Sequence, residues 1–109
     1  MCRAVKVLCV APDRDALVAL KRSVVAADWE LCPGAIDLRG AADQIDVEQP
    51  HAVVVFGPFE ELVAMVVERF PGMRIVTDRP MPGASAVVTD RSEARAALCA
   101  LPRPGGPIA

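Results

Sequence analysis

At 109 residues the chain has room for one hydrophobic core and not two, and its 53% hydrophobic and 24% charged residues make it globular in composition. The net charge of -2 and pI near 5.3, with basic residues spread along the chain, speak against a nucleic-acid partner, which needs clustered positive charge to meet phosphates. No apolar run approaches the ~20 residues that cross a bilayer, and the amino terminus lacks a signal-peptide pattern, so no membrane contact and a cytoplasmic setting are expected.

Residues 4–10, Ala-Val-Lys-Val-Leu-Cys-Val, form a β-rich run, and Pro12-Asp13 then supplies a break and a helix N-cap. Leu17, Leu20, Val24 and Val25 recur at helical spacing, with Arg14, Asp15, Lys21 and Arg22 on the other face. Trp29 to Cys32 reads as a short second strand that ends near Pro33-Gly34, and Ala41, Ala42 and Ile45 mark a brief helix from about Arg39 to Glu48. Ala52 to Phe56 is apolar throughout, as expected of a central parallel strand covered on both faces.

Pro58 suits the first turn of a helix whose apolar stripe is Phe59, Leu62, Val63, Val66, Val67 and Phe70, with Glu60, Glu61 and Arg69 complementing its dipole. Pro71-Gly72 stops it. A fourth strand spans about Arg74 to Thr77 and a fifth Ala86 to Thr89. Asp90-Arg-Ser-Glu93 is a capping box with Asp90 as the cap and Glu93 reaching back, and Ala94, Ala97, Leu98 and Leu101 give the last helix its stripe. The single domain is placed at residues 1–103 and a flexible tail at 104–109, within the proline- and glycine-rich end of the chain.

Alternating strands and helices predict an α/β domain with a mainly parallel five-stranded sheet of flavodoxin-like order 2-1-3-4-5. Between Thr77 and Ala86 only eight residues remain, with two prolines and a glycine among them, too few and too broken for a crossover helix. The fourth crossover is therefore expected to lack its helix. Either the face of strands four and five lies bare as a contact surface, assigned to Ile75, Met81 and Val88, or Met81 and its prolines cover it.

Val5-Lys-Val-Leu-Cys-Val-Ala-Pro-Asp13, Trp29-Glu-Leu, Gln49-Pro-His-Ala-Val-Val-Val-Phe56 and Pro71-Gly-Met-Arg-Ile-Val-Thr77 together resemble a response-regulator receiver domain over about residues 4–101. The resemblance implies acidic residues after the first strand that bind Mg²⁺ and a phospho-accepting aspartate at the end of the third. Ala11 and Pro12 stand where the acidic pair falls, leaving Asp13, and Phe56 or Gly57 stands at the acceptor. Thr77 matches the hydroxyl residue after the fourth strand, whereas Thr89, Asp90 or Arg91 replaces the lysine after the fifth. What the resemblance implies is thus a pseudo-receiver, with no phosphoaspartate chemistry to be built from these side chains.

Cys2, Cys9, Cys32 and Cys99 form no C-x-x-C pair and meet a single histidine, His51, so reduced core thiols are expected and no metal. The glycines form no dinucleotide or phosphate loop. Asp13 and Asp15 read as helix-start residues, and His51 as a strand-entry residue rather than a base. Thr77-Asp78-Arg79 and Thr89-Asp90-Arg91 repeat one triplet after consecutive strands, making Asp13, Thr77, Asp78, Thr89 and Asp90 the candidate ligand-binding residues. Arginine over lysine by ten to two, with no asparagine or tyrosine, matches a GC-rich bacterial genome. The expected function is a non-catalytic regulatory domain, without cofactor, that contacts a protein partner or a second copy. The alternative is a small-ligand sensor whose pocket lies where Ala11, Pro12, Phe56, Gly57, Thr77 and Thr89 converge.

Overall fold

The computed structural model describes residues 5–26 and 29–100. In chain order they form β1 (Val5–Val10), α1 (Arg14–Val24), β2 (Trp29–Leu31), α2 (Leu38–Glu48), β3 (Ala52–Val55), α3 (Glu60–Arg69), β4 (Arg74–Thr77), β5 (Ala86–Val87) and α4 (Arg91–Ala100). All five strands pair in parallel in the order β2-β1-β3-β4-β5, as the alternation of strand and helix predicts.

β3 is central, and all four of its residues are buried. Strand alternation sends Val53 and Val55 into a core layer with Leu8, Val10, Ile45, Leu62 and Val66, beneath α2 and α3. Ala52 and Val54 join Val7, Cys9, Leu20, Val24, Val76 and Leu98 on the other face, beneath α1 and α4. This two-sided coverage is why the strand reads as continuously apolar.

The helix starts follow from local chemistry. Asp13 is extended, and its carboxylate accepts from the Ala16 N–H at 2.8 Å; Asp37 does the same for the Gly40 N–H at 2.7 Å. At α4, Glu93 Oε1 accepts from the N–H groups of Thr89 (2.7 Å) and Asp90 (3.2 Å) and from the Thr89 hydroxyl (2.8 Å). Glu93 therefore reaches back as expected, while the Asp90 carboxylate accepts from the Ser92 hydroxyl at 2.8 Å.

Several boundaries differ from the sequence expectation. Pro58 is not in the first turn of α3. The Phe59 N–H donates to the Gly57 carbonyl at 2.9 Å, closing a three-residue turn around Pro58, and the helix starts only at Glu60. Val25 and Val67, read as stripe residues, are exposed. β5 holds two residues rather than four, with Val88 and Thr89 beyond its end. Leu101, Cys2 and the expected tail lie outside the described residues.

The β4–β5 crossover has no helix. In its place residues 78–85 form a strap across the sheet. Met81 is buried in the α2–α3 core layer, the Ser85 N–H donates to the Ile75 carbonyl at 2.7 Å, and the Ser85 hydroxyl accepts from the Ile75 N–H at 3.1 Å. Gly83, at φ +94°, lies against Val67 of α3, where a Cβ would collide with that side chain.

Candidate functional site

The carboxyl ends of the strands, where this class of sheet binds its ligands, are formed by Ala11 and Pro12, residues 32–37, residues 56–59, Asp78-Arg79 and Thr89-Asp90. Residues 32–37 are held firmly. The Gln44 side-chain amide accepts from the Gly34 N–H at 2.9 Å and donates back to the Gly34 carbonyl, and Lys21 Nζ donates to the Pro33 carbonyl at 2.9 Å. The Ala11 N–H donates to the Ala35 carbonyl at 3.1 Å, bringing Ile36 beside the end of β1.

At the centre, Gly57 has φ +121°, and a Cβ there would lie 3.0 Å from the Phe59 ring and 3.3 Å from Pro12 Cδ. Proline, glycine and phenylalanine thus close the middle of the edge with apolar surface. The closeness of Pro12 to Gly57 across the β1–β3 junction has no signature in the sequence, because it depends on parallel register between distant segments.

Each polar group expected at a ligand site has a partner nearby in the chain. Asp13 caps α1. Thr77 is fully buried, and its hydroxyl donates to the Arg79 carbonyl at 2.6 Å. Asp78 Oδ1 accepts from the Gly57 N–H at 3.2 Å and from Arg79 Nε at 3.1 Å, while Arg79 Nη2 reaches Oδ2 at 3.1 Å. This forked pairing pushes the Arg79 guanidinium above its ordinary value. Thr89 and Asp90 are engaged at the start of α4, where hydrogen bonds hold Asp90 below the usual carboxylate range, that from Ser92 first among them. Asp78 and Gly57 meet, whereas Thr89 and Asp90 bond to residues at the start of α4.

Ile75, Met81 and Val88, assigned to a contact surface, are 1%, 7% and 7% exposed. Ile75 and Met81 lie inside the α2–α3 core layer, which the strap closes as in the second of the two arrangements weighed for this crossover, and Val88 is buried on the other face in the α1–α4 layer. Val87, in β5, is exposed.

Elsewhere, His51 Nδ1 accepts from the Lys6 N–H at 3.1 Å while the His51 N–H donates to the Lys6 carbonyl at 2.8 Å, tying β1 to the start of β3 at the opposite end of the sheet. Burial pushes the Cys9 thiol up to about 12 and raises that of Cys32. Among the described residues, no three or more His, Cys, Asp or Glu side chains gather as a metal site, and no helix is long and apolar enough to cross a membrane.

No protein-family model and no curated protein matches the chain. Solved structures do. The signal receiver domain of an HD domain-containing protein from Pseudomonas fluorescens Pf-5 is similar over 89% of this chain and 93% of that one, with TM-score 0.72 and 18% identity. A CheY-like response regulator receiver domain protein from Methanospirillum hungatei JF-1 is similar over 89% and 92%, with TM-score 0.71 and 17% identity. HP1043, an orphan response regulator of H. pylori, is similar over 88% and 94%, with TM-score 0.70 and 12% identity. At these identities the likeness is one of fold, and the fold is receiver-like.

Proposed function

We propose that the protein is a non-catalytic, receiver-like regulatory domain that works by protein contact and not by phosphoryl transfer. The observation that carries this reading is the composition of the central carboxyl edge. Ala11, Pro12, Phe56 and Gly57 supply no carboxylate there; of the acids beside them, Asp13 caps α1 and Asp78 is held by the Gly57 N–H and by Arg79. A phosphoryl acceptor needs a free carboxylate oxygen and a cation beside it to offset the growing charge. Asp78 has instead a fixed guanidinium on both of its oxygens.

The regulatory assignment comes by analogy with the receiver domains named above, as a fold hosts many functions. The small-ligand reading is less well supported. Ala11 and Thr77 are fully buried, Thr77 has spent its hydroxyl on the strap, and Phe59 and Pro12 pack on Gly57.

Incubation with acetyl phosphate and Mg²⁺, followed by intact-mass measurement, tests the proposal. An unchanged mass is expected. Stoichiometric gain of an acid-stable, hydroxylamine-labile phosphoryl group would overturn it.

A further inference from the structure

The carboxyl edge presents apolar residues to solvent, and of these only Phe59 also packs on the core, at the start of α3. Pro12 and Pro58 are exposed, Ile36 and Leu38 are 42% and 39% exposed, and Phe59 is partly so. They form a row. Ile36 adjoins the end of β1 through the Ala11–Ala35 hydrogen bond, Pro12 meets the Gly57 turn, and the Phe59 ring lies over that turn. Carboxylates border the row. Asp13 and Asp15 stand at the start of α1, Asp37 at the start of α2, and Glu60 and Glu61 in the first turn of α3, all exposed. The exposed cations among them are Arg14 and Arg39; Lys21 is engaged by the Pro33 carbonyl and Arg79 by Asp78. Capping accounts for Asp13 and Asp37; it does not account for the apolar side chains set between them.

We infer that this edge is a docking surface for an apolar, net-basic segment of a partner protein. The inference rests on the interaction reading above and names the face and the partner's chemistry. An apolar centre with a polar rim is the usual anatomy of such a contact, and the acidic rim selects the sign of the visitor's charge. The same rim repels nucleic-acid phosphates and anionic lipid. It also disfavours a second copy docking through the same face, because a two-fold contact would set each acidic rim against itself.

The test is an amide NMR titration of the full chain with two synthetic 18-residue amphipathic peptides, one of lysine and leucine and one of glutamate and leucine. The lysine peptide is expected to shift amides at residues 11–13, 36–38 and 57–61, and the glutamate peptide to leave them unmoved. Affinity falls about tenfold between 50 and 300 mM NaCl, as screening dictates. It falls about fivefold or more in Ile36→Ser, the loss typical of a contact residue. A companion variant, Glu61→Gln, tests the rim without removing apolar surface, and it weakens binding of the lysine peptide only.

Equal response to both peptides, no response, or full affinity in both variants would overturn the inference. Shifts on another face would overturn it while leaving the interaction reading intact. Concentration-dependent shifts of the protein alone at this edge would replace the partner with a second copy and likewise overturn it.

Discussion

Gly83 illustrates how one residue fixes a connection. Its φ of +94° is ordinary only for glycine, and Val67 occupies the space a Cβ needs. Gly83→Ala is expected to cost about 2 kcal/mol or more in urea unfolding, from backbone strain and overlap together. Trimming the obstacle in Val67→Ala/Gly83→Ala restores only the overlap. Full recovery in the double variant would show that the backbone conformation carries no cost.

Cys9 provides the second test at this scale. Burial raises its pKa to about 12, whereas an unfolded thiol ionises near 9. Below pH 9 both states keep the proton and the group is neutral to stability. Between pH 9 and about 12 only the folded state keeps it, so stability falls by about 1.4 kcal/mol per pH unit from this group alone. Cys9→Ala removes that alkaline slope at some cost in packing. The slope is read from unfolding curves at pH 8, 9 and 10, and an unchanged slope in the variant would contradict the assignment.

Among the elements, the β4–β5 crossover departs most from a regular doubly wound sheet, and eight residues with two prolines and a glycine made that legible in advance. What replaced the helix was not legible. Whether Met81 points into the core or away from it is decided by the strap's contacts with Ile75 and Val67, which lie in separate segments. With Met81 buried in the α2–α3 core layer, Met81→Ala is expected to lose about 2–4 kcal/mol, and Met81→Leu less than about 1.5. A neutral Met81→Ala in denaturant unfolding would mean that the strap does not cover the sheet.

The other elements were readable in proportion to their periodicity. α1 and β3 carry strong apolar patterns and lie within a residue or two of expectation. α3 starts later than Pro58 implied because the Gly57–Phe59 hydrogen bond closes a turn that a single proline does not announce. β5 is shorter because Val88 follows the strand's last residue and turns toward the α1–α4 core layer.

At the scale of the whole molecule, a receiver-like sheet order coexists with a carboxyl edge closed by proline, glycine and phenylalanine. The sheet order was legible in the rhythm of the sequence. The candidate site was legible only as a list of residue types. That Asp78 accepts from the Gly57 N–H, that the Thr77 hydroxyl bonds its own strap, and that Ala35 pairs beside the end of β1 are consequences of parallel register and could not be read from spacing.

The central claim is that this edge works by contact and does not take up a phosphoryl group. It is tested most directly by amide NMR spectra recorded with and without Mg²⁺ and beryllofluoride, a mimic of an acyl phosphate. Superimposable spectra are expected. Saturable, Mg²⁺-dependent shifts clustered at residues 11–13, 56–58 and 77–79 would contradict it.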